Sequence, residues 1–272
     1  MPVVKLLLNS VISTPGARFM TAEISDFYLG TPLPRPEYLR ISEEIIRQRN
    51  LGKYILNGAI LFEINKGMYG LPQAGLLAQE RLMTHLAAHG YTQTSTPCLF
   101  RHATNGVTFT LVVDDFGVKY TTLQGAEHLC DILRQLYTLK PDYTGSSYIG
   151  FRLDFNYINR LVTLSMPTYV DKMLLRFLPD LVHGANTPAI YTAPQWGGKQ
   201  IARVDTSEKL PEVDKKFIQE VVGSALYYAR GIDHHLSSVI EGNNTNDGSN
   251  ACNYETASIS RSSQKQQARV SS

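Results

Sequence analysis

Apolar and polar positions along this chain recur in patterns that predict a mixed α and β protein. RFMTAEI (Arg18–Ile24) alternates loosely, as a strand does, and ends before FYLGTPLPRP, where three prolines between Pro32 and Pro36 predict an irregular stretch. A second short strand is expected at 60–64. Leu76, Leu77, Leu82 and Leu86 fall at helical spacing and predict a helix over 74–89, stopped by Gly90. Two β runs follow, VTFTLVV (107–113) and FGVKY (116–120), with Asp114 and Asp115 between them, which is hairpin spacing. A helix over 123–137 precedes a second hairpin, YIGFRLDF and RLVTLS around the turn 156–159. Helices over Pro167–Phe177, with proline in its first turn, and over 212–230 close the periodic sequence. This order is an α+β pattern, and the absence of any GxGxxG or Walker loop disfavours a doubly wound nucleotide-binding fold.

Composition sharpens the picture at three points. The 272 residues are 43% hydrophobic and 18% charged, enough to bury a sizeable core. Lys+Arg number 26 and Asp+Glu 24, so any nucleic-acid contact must come from a local basic surface. Cys98, Cys130 and Cys252 form neither a paired framework nor a CxxC spacing, which points to a reducing, intracellular setting, cytoplasmic or nuclear rather than secreted. The N-terminal apolar run is interrupted by Asn9 and Ser10 before it reaches signal-peptide length, and no stretch approaches a membrane span. From Gly242 onward the chain is almost entirely Asn, Ser, Gln, Thr and Gly, and 234–272 is expected to be a disordered tail.

The chemistry centres on Asp114 and Asp115. An isolated Asp pair suits a solvated turn. Here LVV precedes and FGV follows, so the carboxylates sit at the tip of an apolar ribbon, where they can hold a hard divalent cation such as Mg²⁺. A two-metal site needs a third carboxylate from a neighbouring strand, and Glu23 near the end of RFMTAEI supplies one. His85 and His89, four apart, lack a third ligand and read as a helix face.

TAEISDFYLGTPL, INKGMYGLPQAG, LVVDDFGV and YIGFRLDFNYINRLVTLSMPTYVDKMLLRF, in this order, resemble the palm motifs of reverse transcriptases, most closely those of copia-type LTR retrotransposons; VVGSALYYARGID is similar to the segment after the thumb. The resemblance implies a right-hand polymerase: an antiparallel palm sheet backed by helices, with partial fingers and a helical thumb. On that reading 1–30 hold residual fingers and the first palm strand, 31–76 a fingers insertion, 77–165 the palm, and 166–233 the start of the thumb. It implies Glu23, Asp114 and Asp115 as catalytic residues, and Glu23, Ile24, Asp114 and Asp115 as the ligands of two Mg²⁺ ions, with Mn²⁺ as a substitute. It also implies Tyr28 as a steric gate and Gln73 as contacts to the incoming dNTP, and Tyr148, Ile149, Gly150 and Phe151 in a primer grip. Lys140 resembles a lysine that protonates pyrophosphate. The implied partners are an RNA or DNA template with its primer, and dNTPs, without a membrane.

Glu23 departs from the family's Asp by one methylene, enough to move a carboxylate by about an ångström in a site where such a shift costs around a hundredfold in rate. Asp26, on the opposite face if the strand continued, is not expected to replace it. Two readings follow: a working RNA-directed DNA polymerase, or a catalytically silent, truncated remnant that keeps the palm fold and at most weak nucleic-acid binding.

Overall fold

The computed structural model describes residues 1–55, 59–177, 211–234, 236–237 and 268–271. The chain divides into two compact units, Pro2–Ile149 and Gly150 onward, with the division inside the segment expected to be one palm.

The first unit is built on a six-stranded, wholly antiparallel sheet in the order β4 (Tyr91–Gln93), β5 (Leu99–His102), β6 (Thr108–Val112), β7 (Asp115–Tyr120), β1 (Arg18–Ile24), β8 (Leu139–Asp142). Side chains alternate across it. Phe116, Val118 and Tyr120 of β7, Met20, Ala22 and Ile24 of β1, and Phe109 and Leu111 of β6 enter one buried core. Two helices close that core, α3 (Ala74–Ala88) through Ala78, Leu82 and Leu86, and α4 (Leu123–Arg134) through Ala126, Leu129, Cys130 and Leu133. A fully buried leucine such as Leu82 contributes about 1.5–3 kcal/mol. The α3 stripe is Ala74, Ala78, Leu82 and Leu86 rather than the leucines alone. Leu76 is exposed, because successive positions four apart, and not the leucine count, set the buried face. Thr122 caps α4 by accepting from the Gly125 amide at 3.2 Å, and Gly90, at φ +85°, ends α3 as expected.

A helix not anticipated from sequence, α1 (Pro2–Ser13), buries Val4, Leu7, Leu8, Val11 and Ile12 and lies against β1, β6 and β7. It touches the opposite sheet face, where Asp115, Gly117 and Lys119 alternate with the core residues of β7.

Beside the sheet, β2 (Pro32–Arg40) and β3 (Leu61–Lys66) form a two-stranded ribbon. The proline-rich segment is therefore a strand, not an irregular stretch. Pro32 pairs with Lys66, and pairing resumes at Glu37 with Ile64 after a register shift, so Pro34 and Pro36 lie in the irregular part and remove no ladder donor. The short helix α2 (Glu43–Gln48) and β9 (Ser147–Tyr148) complete the unit.

In the second unit β10 (Phe151–Asn156) and β11 (Leu161–Ser165) pair as a hairpin. The expected strand over 148–155 is broken, since Ile149 (φ +43°) and Gly150 (φ +83°) make a left-handed turn that no strand can contain. Helix α5 (Pro167–Phe177) packs on α6 (Glu212–Gly231) through Met173, Phe177, Val221 and Ala225. Most of the expected disordered tail lies outside the described residues. Its one described strand, β12 (Ala268–Ser271), pairs antiparallel with β11, because a free hairpin edge offers backbone partners to any sequence. Among the described residues no helix is long and apolar enough to cross a membrane.

Candidate functional site

Three acidic residues occupy neighbouring positions at one end of the first unit's sheet. Glu23 on β1 is the direct cross-strand partner of Asp115 on β7, and the Ile24 amide donates to the Asp114 carbonyl at 3.0 Å, pinning the hairpin tip to β1. Directly opposed side chains in an antiparallel pair stand about 4.5–5.5 Å apart at Cβ. Asp114 and Asp115 are half-buried and Glu23 is exposed.

The hairpin differs by one residue from the sequence expectation. Val112 pairs with Asp115, so the two-residue turn is Val113 and Asp114, and Asp115 is the first residue of β7. The two carboxylates are thus presented differently, one from a turn and one from a strand facing Glu23. Val113 has φ +60° while Asp114 does not have a positive φ, the pattern of a turn that ordinarily takes glycine at its first position. A β-branched residue held there stores strain of about 1–3 kcal/mol, and such strain gathers at working sites.

The charges repel. Partial burial, then Asp114, then Glu23 push the Asp115 carboxyl above its usual range. On the other side of β1, Lys140 of β8 is the cross-strand partner of Glu23, so Asp115, Glu23 and Lys140 form a row across three strands. Among the described residues no three His, Cys, Asp or Glu side chains converge closely enough to hold a metal ion. The donor chemistry nevertheless fits Mg²⁺, which takes hard carboxylate oxygens, and a cation would relieve the repulsion from Asp114 and Glu23 that adds to burial in raising Asp115. The Ile24 side chain is fully buried, so only its backbone is available at the site.

No family model and no curated protein matches this chain.

The remaining expected residues fall into two groups. Tyr28 is half-buried, with its ring 5.4 Å from that of Tyr69 and perpendicular to it. A Cβ on Gly75 would stand 3.7 Å from Tyr28 Cε1, and one on Gly67 would collide with the Tyr28 carbonyl, so the structure brings Tyr28 together with the LPQAG segment at the start of α3. Gln73, beside it, donates through Nε2 to Glu37 Oε1 at 2.9 Å. Of the residues expected to grip a primer, Tyr148 and Phe151 are buried, Ile149 is half-buried and Gly150 is exposed. Tyr148 is therefore a packing residue: its hydroxyl pairs with Thr110 Oγ1 at 3.0 Å and donates to the Thr110 carbonyl at 3.2 Å, and its ring lies over Gly117. Burial pushes its hydroxyl up to about 12.

Asp26 is exposed, outside the strand, at φ +55°. His85 Nε2 lies 2.8 Å from the Ile132 carbonyl, tying α3 to α4, and His89 Nδ1 lies 2.9 Å from the His85 carbonyl, within the last turn of α3. Sequence reasoning did not find Thr110 and Gly117. Gly117 interrupting the apolar run FGVKY was the available signal, since glycine inside a strand marks close approach of another group.

Proposed function

We propose that the chain is a reverse-transcriptase-type polymerase palm, performing template-directed nucleotidyl transfer at Glu23, Asp114 and Asp115. The observation that carries this reading is the strand register: Glu23 lies opposite Asp115 while Asp114 occupies the strained turn beside it. An antiparallel sheet with two helices on one face and a carboxylate-bearing hairpin on a central strand supports it further.

On this reading Asp114, Asp115, Glu23 and the Ile24 backbone would hold two Mg²⁺ ions, whose chemistry there would be to lower the pKa of a primer 3′ hydroxyl and to offset charge on the departing pyrophosphate. The chain's own residues do the placing. β1 and the hairpin hold the carboxylates at fixed register. Lys140, next to Glu23 across the strand pair, offers a proton at the same sheet end. Tyr28, resting on α3, limits space beside the sugar of an incoming nucleotide, and Gln73 lies next to it on the same helix terminus.

The second reading, a catalytically silent remnant, draws on Glu23 itself, whose extra methylene stands where the resemblance implies Asp. Primer extension on a homopolymer template with Mg²⁺ or Mn²⁺ separates the two. Incorporation by the natural chain, lost in Asp114→Asn, supports the polymerase. Incorporation only by Glu23→Asp makes the natural chain a remnant and Glu23 its lesion. No incorporation by either sinks the polymerase reading.

A further inference from the structure

Four residues beyond Asp115 along β7, about 13 Å at strand rise, the same sheet face carries a cleft of opposite character. Arg101 on β5, Thr108 on β6 and Lys119 on β7 are successive cross-strand partners, so they stand side by side. They line a cleft of about 390 Å³ with Thr14, just past the end of α1, and with Gly106 and Thr121. No acidic residue is among its lining residues. Among the described residues no carboxylate lies within ion-pair distance of Lys119 or Arg101.

Lys119 is the centre of this arrangement. Its ammonium donates to Ser10 Oγ at 2.6 Å and to Thr14 Oγ1 at 2.7 Å, both neutral, and an ammonium has three donors. One donor and the full positive charge are left without an anionic partner in a half-buried position. Burial lowers the Lys119 pKa, as expected of a cation that has lost water and gained no counter-charge. Gly106, at φ +75°, admits no side chain, since a Cβ there would collide with the Thr121 hydroxyl; this keeps the cleft wall as bare backbone.

We propose that this cleft is a phosphate-binding site, in which Lys119 and Arg101 take the charge of a phosphate group and the hydroxyls of Thr108 and Thr121 complete its hydrogen bonding. A tetrahedral dianion with several acceptor oxygens suits two cations flanked by hydroxyl donors better than a planar carboxylate does. The phosphate comes either from a free small anion or from the terminus of a nucleic-acid strand. The site does not depend on the carboxylate cluster, and its test uses binding rather than polymerisation.

The full chain is titrated calorimetrically at constant ionic strength with inorganic phosphate, with acetate, and with a 5′-phosphorylated oligonucleotide beside its 5′-hydroxyl twin. Saturable phosphate binding is expected, at least tenfold weaker in Arg101→Ala and in Lys119→Met and unchanged in Arg35→Ala, an exposed arginine on the β2–β3 ribbon. Arg101 is exposed, so its variant keeps the fold even if Lys119→Met does not. Tighter binding of the phosphorylated oligonucleotide than of its twin assigns the site to a strand end. Equal binding of the two, with phosphate still bound, assigns it to a free anion. Absence of saturable phosphate binding, equal affinity for acetate, or undiminished binding in Arg101→Ala overturns the proposal.

Discussion

The Tyr148 ring occupies the space a side chain on residue 117 would need: a Cβ on Gly117 would stand 2.7 Å from both Cε1 and Cζ of Tyr148. Glycine inside a strand is unfavourable by about 0.5–1 kcal/mol relative to alanine, so its presence in β7 needs a compensating contact. The contact is this ring, locked by its hydroxyl to Thr110 on β6 and resting at 5.9 Å against Phe19 on β1. One tyrosine therefore touches β6, β7 and β1, of which β1 carries Glu23 and β7 carries Asp115.

Gly117→Ala is expected to lower stability by about 1–3 kcal/mol through overpacking. In a Tyr148→Ala background the same substitution should cost much less, since the obstructing ring is gone and the two sites are directly coupled. Denaturant unfolding of the four proteins of this cycle measures the coupling. Additive losses would show that the ring and the glycine do not depend on each other.

The raised pKa of Asp115 fixes a pH dependence. Its folded-state value lies above the usual 3.8, so between 3.8 and the raised value the folded state binds more protons than the unfolded chain. Stability from this group is therefore fully present below 3.8 and is lost as pH rises through the folded value. Asp115→Asn, which removes the repulsion, should melt higher than the natural chain at pH 7, with the difference vanishing as pH falls below 3.8. Thermal melts of the pair across that range check the sign.

A divalent cation should act on the same repulsion. At a concentration one hundred times its dissociation constant, a ligand specific to the folded state stabilises by about 2.7 kcal/mol. Mg²⁺ or Mn²⁺ is thus expected to raise the melting temperature of the natural chain, with EDTA reversing the shift and Asp114→Asn abolishing it. An equal shift in Asp114→Asn would place the cation elsewhere.

Much of the α+β arrangement was legible because burial imposes period. RFMTAEI is β1 residue for residue, and Pro167–Phe177 is α5. The failures have separate physical origins. In LVVDDFGV neither apolar flank alternates, so nothing in the pattern showed that Val113 rather than Asp115 belongs to the turn; its left-handed backbone contradicts the preference of valine and is imposed by the β6–β7 register. Val4, Leu7, Leu8, Val11 and Ile12 of α1 recur at helical spacing, but the same apolar run also has the look of a targeting segment, and only its burial against the sheet distinguishes the two. The strand LKPD carries no strand signal at all. It forms where β1 presents a free edge, and only that pairing sets Lys140 beside Glu23. The carboxylates could be named from sequence; their relative placement is a property of the sheet.

Val113 gives the sharpest test of whether the hairpin is strained. Glycine at this position removes a left-handed penalty of about 1–3 kcal/mol and adds about 0.5–1 kcal/mol of unfolded-chain entropy to be lost on folding. Val113→Gly should therefore stabilise the chain, by up to about 2 kcal/mol in denaturant unfolding, although it deletes a side chain. The valine is half exposed, so little burial is lost with it. Val113→Asn, which tolerates the left-handed region without glycine's freedom, should lie between the two. If the strain serves to hold Asp114 and Asp115 in place, primer extension should fall in Val113→Gly while stability rises. Destabilisation by glycine would instead mean that the turn is unstrained and the valine side chain contributes to the fold.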